Sequence, residues 1–520
     1  MSAILRRPLT LLLAMASVYL VLTGLRAWHK PFWFDEINTL TIADLHSLQD
    51  IWKAETAGFD LNPPGTYLLT KLMRGLGPRQ ELFARLPEIA AYLIMMACLS
   101  VFIARRLPLD FALPAVSFAL LSEAYSYSYE ARGYAIELAG AGLALVAWQA
   151  AADAGASKLA RRLGLAGLAA ALAIALLSHC YAVVLYVPIC AGELWRTWSR
   201  KRVDIPLWIA LLLGMAPVAL YPALLATSHK FLVGTAVFAP TPRRFLGAYA
   251  LLLEHALLPL ALLLLPLALF AYRHRIAVRE ASTDLLGRIP LHEGIAAAAF
   301  LFVPACGFAI ARFLRSGYVS RYGLAGTLGF AILLAFAVYV LGAARPVWPQ
   351  WIAAGTLVWF IVSFGVSART WATQAPSGNN NEPFLISAAA TGRPVVIGDG
   401  RSFLEFEYYF PREAGKQLVY LDDPKLAIQL TGSDALDTPL LLARPYFSIP
   451  IRIEDYRDFL AHHNRFWLFS WDDPMVWVER QLRQEGAVLN RASTPYLYDV
   501  VIKAKSSTTS PPEIVRPLTN

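Results

Sequence analysis

Long apolar runs separated by short polar segments fill roughly the first 370 positions of the sequence. A transmembrane helix needs about 20 predominantly apolar residues, and eleven runs approach or reach that length. They cover approximately 8–28, 86–104, 111–126, 132–152, 163–178, 180–197, 205–225, 250–272, 294–312, 322–342 and 348–367. The pattern therefore predicts an α-helical polytopic membrane protein with about eleven transmembrane helices, of which the first is retained rather than cleaved.

Basic residues gather at alternate connections between these runs, and lysine and arginine are enriched on the cytoplasmic side of membrane proteins. The basic connections contain Arg6-Arg7, Arg105-Arg106, Lys158 with Arg161-Arg162, 196–202 and 273–279. We expect those connections to be cytoplasmic. The others then face outward, namely 29–85, the turns near 127–131 and 313–321, the segment 226–249 and everything after about 368.

Composition agrees with a membrane protein and changes the interpretation of the charge. The sequence is 57% hydrophobic and 16% charged, whereas soluble globular proteins are about 45–50% apolar and about 25% charged. The net charge of +9 is distributed as the topology requires rather than gathered on one stretch. No nucleic-acid partner is therefore expected.

The first outward connection, 29–85, is too long for a simple linker, and loops of that length are usually functional. The stretches 44–52 and 67–76 have mixed apolar and polar spacing, which predicts two short helices along the membrane surface. Asn62-Pro63-Pro64-Gly65 separates them, because proline cannot continue a helix. The connection is thus expected to form a structured ledge.

The ledge begins with Phe32-Trp33-Phe34-Asp35-Glu36, two adjacent carboxylates among three aromatic residues. At mid-membrane each carboxylate would cost about 2.5–3.5 kcal/mol, so the pair is expected at the interface. Two interpretations remain open for this stretch alone. The aromatic residues form an interfacial belt with a solvated acidic edge, or the carboxylates perform chemistry at the lipid surface.

Further polar residues occur at the later outward turns. The second turn carries Glu130 and Arg132, and Glu130, Tyr134 and Glu137 fall on one helical face. Basic residues on outward loops oppose the usual bias, and arginine is suited to binding phosphate. Such residues include Lys230, Arg243, Arg244, Arg312, Arg315 and Arg321, the last followed by Tyr322. A solvated rim is the alternative for each, and a satisfied core residue is the favoured interpretation of His179.

After about 368 the composition becomes more polar. We expect a linker over 371–385, an α/β domain outside the membrane over 386–505, and a disordered tail over 506–520. Strands are predicted at 394–398, 418–421, 465–470 and 498–504, and helices at 403–409 and 475–484.

Four features together resemble a known family. They are an outward aromatic-aromatic-Asp-Glu after the first helix, Pro63-Pro64 before a surface helix, Tyr129-Glu130-Ala131-Arg132-Gly133-Tyr134 at the next outward turn, and Arg321-Tyr322 before a late helix. The chain resembles the type C glycosyltransferases, over about residues 1–370. The nearest branch contains the bacterial relatives of the dolichyl-phosphate-mannose protein mannosyltransferases and of the lipid A aminoarabinose transferase.

The resemblance implies transfer of a sugar from a polyprenyl-phosphate donor to a hydroxyl of a glycan, lipid or protein, at the outer face of the bacterial inner membrane. It implies that Asp35 is the general base, with Glu36 and Glu130 as the other catalytic acids. It assigns the donor phosphate to Arg132, Arg321, Tyr322 and Lys230, and gives Trp33, Tyr134 and Asn62 as further lining residues. Asp35 and Glu130 are the candidate ligands should a divalent cation be needed. Asp60-Leu61-Asn62 stands where relatives often carry histidine, which departs from the family pattern.

Two other classes of function stay open from the residues themselves. A transporter or flippase of a lipid-linked saccharide would typically show internal repeats and charges near mid-membrane, whereas these acids lie at the outward edge. A membrane-anchored binding protein would place its activity in 386–505, although about eleven helices exceed what an anchor requires.

Overall fold

A computed structural model describes residues 3–60, 62–231, 238–314, 316–371, 374–434, 436–447, 451–471, 473–492 and 494–503, with backbone alone at 3–6, 227–231 and 371. The chain forms two compact units. The first comprises Met1–Asn380 with Gly432–Pro450, and the second comprises Asn381–Thr431 with Ile451–Asn520.

The first unit is helical. Its helices are α1 (Ala3–His29), α2 (Phe34–Ala43), α3 (Leu48–Ala57), α4 (Gly65–Arg74), α5 (Gln80–Phe83), α6 (Leu86–Ala104), α7 (Ala112–Leu121), α8 (Tyr134–Ala152), α9 (Lys158–Ser178), α10 (Tyr186–Arg200), α11 (Ile205–Gly214), α12 (Tyr221–Phe231), α13 (Pro242–Arg273), α14 (Arg275–Arg288), α15 (Leu291–Phe300), α16 (Val303–Phe313), α17 (Gly326–Leu341) and α18 (Val347–Trp371). Short 3-10 turns at Glu123–Tyr129, Cys180–Leu185 and Ser320–Gly323 connect some of them.

Within the described residues, seven helical segments are long and apolar enough to cross a membrane. They are Arg7–His29, Gln80–Ala104, Tyr134–Ala152, Lys158–Ser178, Ile205–Ala226, Pro242–Arg273 and Val347–Thr370. The pair α15 and α16, bent by 57°, makes an eighth if it is one span, and Leu109–Leu121 and Gly326–Leu341 are shorter apolar helices. Each of the eleven apolar runs thus contains a helix, and the polytopic helical fold is confirmed.

Close helix packing in this unit depends on small residues. A Cβ atom at Gly140 of α8 would lie 2.7 Å from the Cβ of Ala175 in α9, and one at Gly164 of α9 would lie 2.9 Å from the carbonyl oxygen of Ala147. Because no hydrophobic force drives apolar helices together within lipid, small residues that allow close backbone approach are the usual device there. They bring α8 and α9 into contact along their length.

The ledge of the first outward connection contains the two surface helices expected from the sequence, α3 and α4. Ser47 caps α3 by accepting a hydrogen bond from the Asp50 amide at 3.1 Å, and Gly58 ends the helix with a φ of 97°. That left-handed conformation favours glycine. Ile51, Ala54 and Tyr67 form a small buried core beneath the ledge.

A segment distant in sequence completes this small core. Helix α23 (Asp437–Ala443), numbered in chain order, and the turn after it lie in Gly432–Pro450, which belongs to the first unit. The Phe59 ring lies 5.9 Å from the Tyr446 ring and 5.6 Å from that of Phe447. The predicted span 386–505 is therefore interrupted by a segment that packs against the ledge.

The second unit contains a six-stranded sheet. Its strands are β1 (Val395–Ile397), β2 (Leu418–Asp422), β3 (Ile453–Asp455), β4 (Arg465–Phe469), β5 (Val488–Arg491) and β6 (Leu497–Val501), in the order β3-β2-β1-β4-β6-β5. The first four are parallel, and β6 is antiparallel to both β4 and β5. The accompanying helices are α19 (Glu382–Ala389), α20 (Gly400–Tyr409), α21 (Arg412–Gly415), α22 (Pro424–Thr431), α24 (Tyr456–His462) and α25 (Val478–Gln484).

The four predicted strands correspond to β1, β2, β4 and β6, so the α/β assignment is confirmed. The sequence missed β3 and β5, whose burial patterns contain exposed positions. A short strand at a sheet edge needs no continuous apolar run, and the apolar-run criterion therefore overlooks it.

Candidate active site

Asp35 lies in the first turn of α2, directly after the first membrane span. Its Oδ2 atom accepts a hydrogen bond from Nη2 of Arg321 at 3.0 Å. The two side chains are 16% and 24% exposed, so the ion pair is partly open to solvent. Among the described residues, no hydrogen bond to Oδ1 of Asp35 is formed, which leaves that oxygen to accept a proton.

Arg321 is held in place by aromatic neighbours. Its Nε donates to the hydroxyl oxygen of Tyr134 at 2.6 Å. The guanidinium also lies 5.7 Å from the Trp33 ring centre and 5.8 Å from that of Tyr134. Burial by itself would lower the pKa of Arg321, but interactions with Tyr134 and Asp35 outweigh burial and raise that pKa. The side chain is therefore a fixed positive charge beside Asp35.

Glu36 is the fully buried neighbour of Asp35, and Arg85, which lies between α5 and α6, holds it through two hydrogen bonds of 2.7 Å each. Glu36 also accepts from the Ala131 amide at 2.7 Å and the Trp33 amide at 3.3 Å. Burial would raise the pKa of Glu36, but the charges of Arg85 and Lys30 and these hydrogen bonds lower it. The carboxylate is thus ionised, and it links the segment 29–85 to the turn before α8.

The Arg85 guanidinium also donates hydrogen bonds to backbone carbonyl oxygens at and just after the end of α1. Its Nη1 atom donates to the carbonyl oxygens of Ala27 at 2.9 Å and Lys30 at 2.6 Å, and Nη2 donates to that of Pro31 at 2.9 Å. These bonds fix the chain where it leaves the membrane, immediately before Asp35.

Arg132 lies under α2 and is 93% buried. Its Nη1 donates to the backbone oxygen of Asp35 and to the hydroxyl of Thr39, each at 3.2 Å, and it forms an ion pair with Asp60. The Asn62 amide also donates to Asp60 at 3.1 Å. Burial would lower the pKa of Arg132, but Asp60 and Asp35 outweigh it and raise that pKa. Arg132 is therefore a buried charge balanced by Asp60.

Glu130 lies in the turn before α8 and pairs with Lys30, whose Nζ donates to Oε1 at 2.9 Å. The ammonium of Lys30 also lies 5.1 Å from the Tyr129 ring centre. The carboxylates of Asp35 and Glu130 are therefore each matched with a separate cation rather than with one another.

Aromatic rings line the next part of the site. Tyr322, which follows Arg321, stacks on Tyr181 with ring centres 4.2 Å apart. The His179 ring lies 4.9 Å from that of Tyr134 and 5.4 Å from that of Tyr322. Stacked rings of this kind offer flat apolar faces beside the charged groups.

The structure thus brings together most of the residues that the sequence singled out. Asp35, Trp33, Tyr134 and Arg321 are in direct contact, and Tyr322 adjoins them. Glu36 of α2 binds Arg85, Arg132 donates to the backbone of α2, and Asn62 reaches the group through Asp60. The side chain of Lys230 lies outside the described residues, so its predicted role stays a prediction.

Possible metal ligands were also located. Among the described residues, one set of three potential ligand side chains has its donor atoms within 4.8 Å of one another, namely Glu123, Glu254 and His255. Neither Asp35 nor Glu130, the candidates from the sequence, belongs to this set. In the structure, those two carboxylates are instead matched with Arg321 and Lys30.

Three charged residues of the site had no role in the sequence interpretation. Asp60 is the partner of Arg132, Arg85 is the partner of Glu36, and Glu55 is a buried carboxyl of α3. Burial, with a smaller contribution from Asp60, raises the pKa of Glu55 to about 9. The available signal was Arg85, a basic residue at the end of an apolar run that the sequence predicts to face outward, where positive charge is unusual.

Comparison with solved structures identifies the fold. ArnT from Cupriavidus metallidurans in the apo state matches with a TM-score of 0.54 and 12% sequence identity, over 94% of this chain and 97% of ArnT. ArnT bound to undecaprenyl phosphate matches over the same shares, with a TM-score of 0.52 and 14% identity. An S. cerevisiae protein O-mannosyltransferase complex bound to its sugar donor covers 46% of this chain and 36% of its own, with 15% identity and a TM-score of 0.33.

The sequence by itself matches no family model and no curated protein. At 12–14% identity, a likeness over nearly the full length of both chains defines the fold. The chain has the type C glycosyltransferase fold shared with ArnT. The resemblance expected from the motifs around Asp35 and Glu130 is thereby confirmed in the fold.

Proposed function

We propose that this protein is an inverting glycosyltransferase that moves a sugar from a polyprenyl-phosphate donor to a hydroxyl acceptor. The observation that carries the proposal is the Asp35–Arg321 pair, a partly exposed carboxylate with one oxygen unused beside a fixed guanidinium. The fold shared with ArnT, a protein that has been seen bound to undecaprenyl phosphate, supports the class of donor.

Asp35 acts as the general base. A sugar or lipid hydroxyl is a weak nucleophile, and Oδ1 of Asp35 accepts its proton as the new bond to the anomeric carbon forms. The bond from that carbon to the donor phosphate oxygen breaks in the same displacement. One displacement with one base inverts the anomeric configuration of the transferred sugar.

Arg321 stabilises the leaving phosphate. The phosphate gains negative charge as the bond to the sugar breaks, and a fixed guanidinium in a partly buried site stabilises that charge more in the transition state than in the ground state. Arg132 pairs with Asp60 and donates to α2, and its Nε makes no hydrogen bond within the described residues, so it is the second arginine proposed for the donor phosphate. Lys30 and Glu130 form a separate ion pair of the site.

The Trp33, Tyr134 and Tyr322 rings surround this pair and provide apolar faces for the sugar ring. The acceptor is a glycan, lipid or protein hydroxyl at the outer face of the bacterial inner membrane, and the second unit lies on that side. Asp35 and Glu130 are the side chains to which a divalent cation would bind if the reaction uses one.

A transporter of lipid-linked saccharides is the second candidate, since transporters often contain broken helices. The bent pair α15 and α16 is such a feature. The residues at the break, Leu301 and Phe302, are apolar, whereas transporter breaks expose polar groups to the substrate. The charges of the site lie instead at the outward ends of other helices, which favours the transferase.

Purified protein in lipid, incubated with a panel of polyprenyl-phosphate sugars with and without chelator, tests the proposal. We expect transfer or donor hydrolysis with at least one donor, and inversion at the anomeric carbon of the product. Movement of labelled lipid-linked saccharide across sealed vesicles without cleavage would instead establish the transporter. Loss of activity with chelator, restored by a divalent cation, would establish the metal.

A further inference from the structure

A buried glutamate and histidine form a pair beside the Asp35 site. Glu137 lies in the first turn of α8, three residues after Tyr134 and hence on the same helical face. Its Oε2 atom is 2.9 Å from Nδ1 of His179, which ends α9, and the two side chains are only 6% and 5% exposed. Ionisable side chains at membrane depth are costly, so such a pair calls for a functional explanation.

The His179 ring faces the residues of the proposed donor site. It lies 4.9 Å from Tyr134, 5.4 Å from Tyr322 and 6.1 Å from Tyr181, measured between ring centres. Tyr134 in turn accepts a hydrogen bond from Arg321, so one tyrosine separates His179 from the fixed guanidinium. Tyr181 is anchored by donating its hydroxyl hydrogen to the Gly317 carbonyl oxygen at 2.9 Å.

The pairing leaves one imidazole nitrogen for a ligand. A carboxyl group this close to Nδ1 orients the imidazole ring, so that Nε2 is the nitrogen left to face a ligand. Among the described residues, no hydrogen bond to Nε2 of His179 is formed. Beside the imidazole ring lie Glu137 and the rings of Tyr134, Tyr181 and Tyr322. Tyr221 donates a hydrogen bond to the His179 carbonyl oxygen.

We propose that His179, oriented by Glu137, donates a hydrogen bond from Nε2 to the phosphate of the lipid-linked donor. This inference rests on the proposed function and adds a further phosphate-binding side chain, next to the tyrosine that accepts a hydrogen bond from Arg321. The donor phosphodiester carries a negative charge and no proton, so its oxygens can only accept a hydrogen bond, and an imidazole N–H can donate one. Glu137 is a positioning residue, because it acts only through the histidine.

Affinity for a polyprenyl phosphate, compared with the uncharged polyprenol of the same length, tests the proposal in the full-length protein. A hydrogen bond to a charged group is worth about a factor of 10–100 in binding. We therefore expect His179→Gln to weaken binding of the phosphate by about that factor and to leave binding of the alcohol unchanged. Glu137→Gln should produce a smaller loss in the same direction.

His292→Gln provides the matched control, since His292 contacts Trp148 at the opposite end of α8. It should leave both affinities as in the wild type. If His179→Gln weakens the phosphate and the alcohol equally, or neither of them, His179 supports the fold and the proposal is overturned. A wild-type protein that shows no preference for phosphate over alcohol would instead contradict the proposed donor class.

Discussion

Two adjacent carboxylates of this protein occupy opposite environments. Asp35 is partly exposed and forms no hydrogen bond through Oδ1 among the described residues, whereas Glu36 is fully buried and accepts four hydrogen bonds from Arg85, Ala131 and Trp33. The lowered pKa of Glu36 results from those partners. The second carboxylate is therefore part of the scaffold that holds the segment carrying Asp35.

Removing one member of the buried pair should destabilise the fold. Arg85→Met would leave Glu36 charged and without its partner, and breaking a buried ion pair typically costs about 3–5 kcal/mol. We expect a marked fall in the melting temperature of the purified protein. Lys53→Met is the control, because Lys53 faces Asp50 at the exposed surface and should shift the melting temperature little. Equal melting temperatures for both variants would show that the Arg85–Glu36 ion pair contributes nothing to stability.

The buried carboxyl of Glu55 predicts a pH dependence of stability. Its pKa is about 9 in the folded protein and about 4.3 in an unfolded chain. Between these values the folded state holds more protons, so stability falls as the pH rises. Glu55→Gln should remove this contribution, flatten the profile between about pH 5 and 9, and raise stability at pH 8. Melting temperatures of both proteins are measured across that pH range. If the melting temperature of Glu55→Gln falls with pH as steeply as that of the wild type, Glu55 is not the source of the pH dependence.

The sequence identified the side chains that stand out by their local position, and missed those whose role depends on a distant partner. Asp35, Arg321 and Tyr134 are polar residues at or near helix ends that the sequence predicts to face outward, where charge near a membrane is itself informative. The roles of Asp60 and Arg85 depend on partners 72 and 49 residues away in sequence. Such pairings follow from tertiary packing, and no local pattern reveals them.

At the scale of elements, two glycines allow three segments to meet behind the site. A Cβ atom at Gly133 would lie 2.4 Å from the carbonyl oxygen of Ser178, and one at Gly65 would lie 2.6 Å from that of Leu177. The end of α9 therefore touches the starts of both α4 and α8. Thr66 also donates a hydrogen bond to the Ser178 oxygen at 3.2 Å.

Gly133→Ala should displace the start of α8, because the new methyl group would meet backbone atoms that cannot move independently. We expect a loss of stability of about 1–3 kcal/mol and lower activity, since Arg132 and Tyr134 flank this position. Gly287→Ala in α14 is the control, because a Cβ atom there meets nothing within 4 Å. Thermal unfolding and turnover are measured for both variants. Equal stability and equal turnover of Gly133→Ala and Gly287→Ala would refute this account of the packing.

Hydrophobic runs were sufficient to predict helices but not their continuity. The run at 294–312 forms two helices bent by 57°, and Leu109–Leu121 is too short to span unaided. An apolar run predicts a membrane-spanning helix correctly only when one straight helix fills the run. A helix break inside an apolar run need not contain polar residues, so the sequence does not reveal it. The segment Gly432–Pro450 was likewise unpredictable, since its burial depends on the aromatic residues of the ledge.

At the scale of the whole molecule, the site joins residues 286 positions apart, Asp35 and Arg321. Both must lie on one side of the membrane, which the distribution of basic residues predicts to be the outer side. In a background without native cysteines, Thr241→Cys should react with a membrane-impermeant maleimide in intact cells. Ala156→Cys should react only after permeabilisation, and the reverse pattern would invert the topology.

The most direct test of the central claim compares the wild type with Asp35→Asn in transfer of radiolabelled sugar from a polyprenyl-phosphate donor in lipid. Asparagine keeps the shape of the side chain but cannot accept the proton, and general-base catalysis typically supplies a factor of about 10²–10⁴. We therefore expect turnover to fall by at least that factor while the melting temperature and donor binding persist. Asp153→Asn, at the opposite end of α8, should retain full turnover. Wild-type turnover in Asp35→Asn would contradict the assignment of the base.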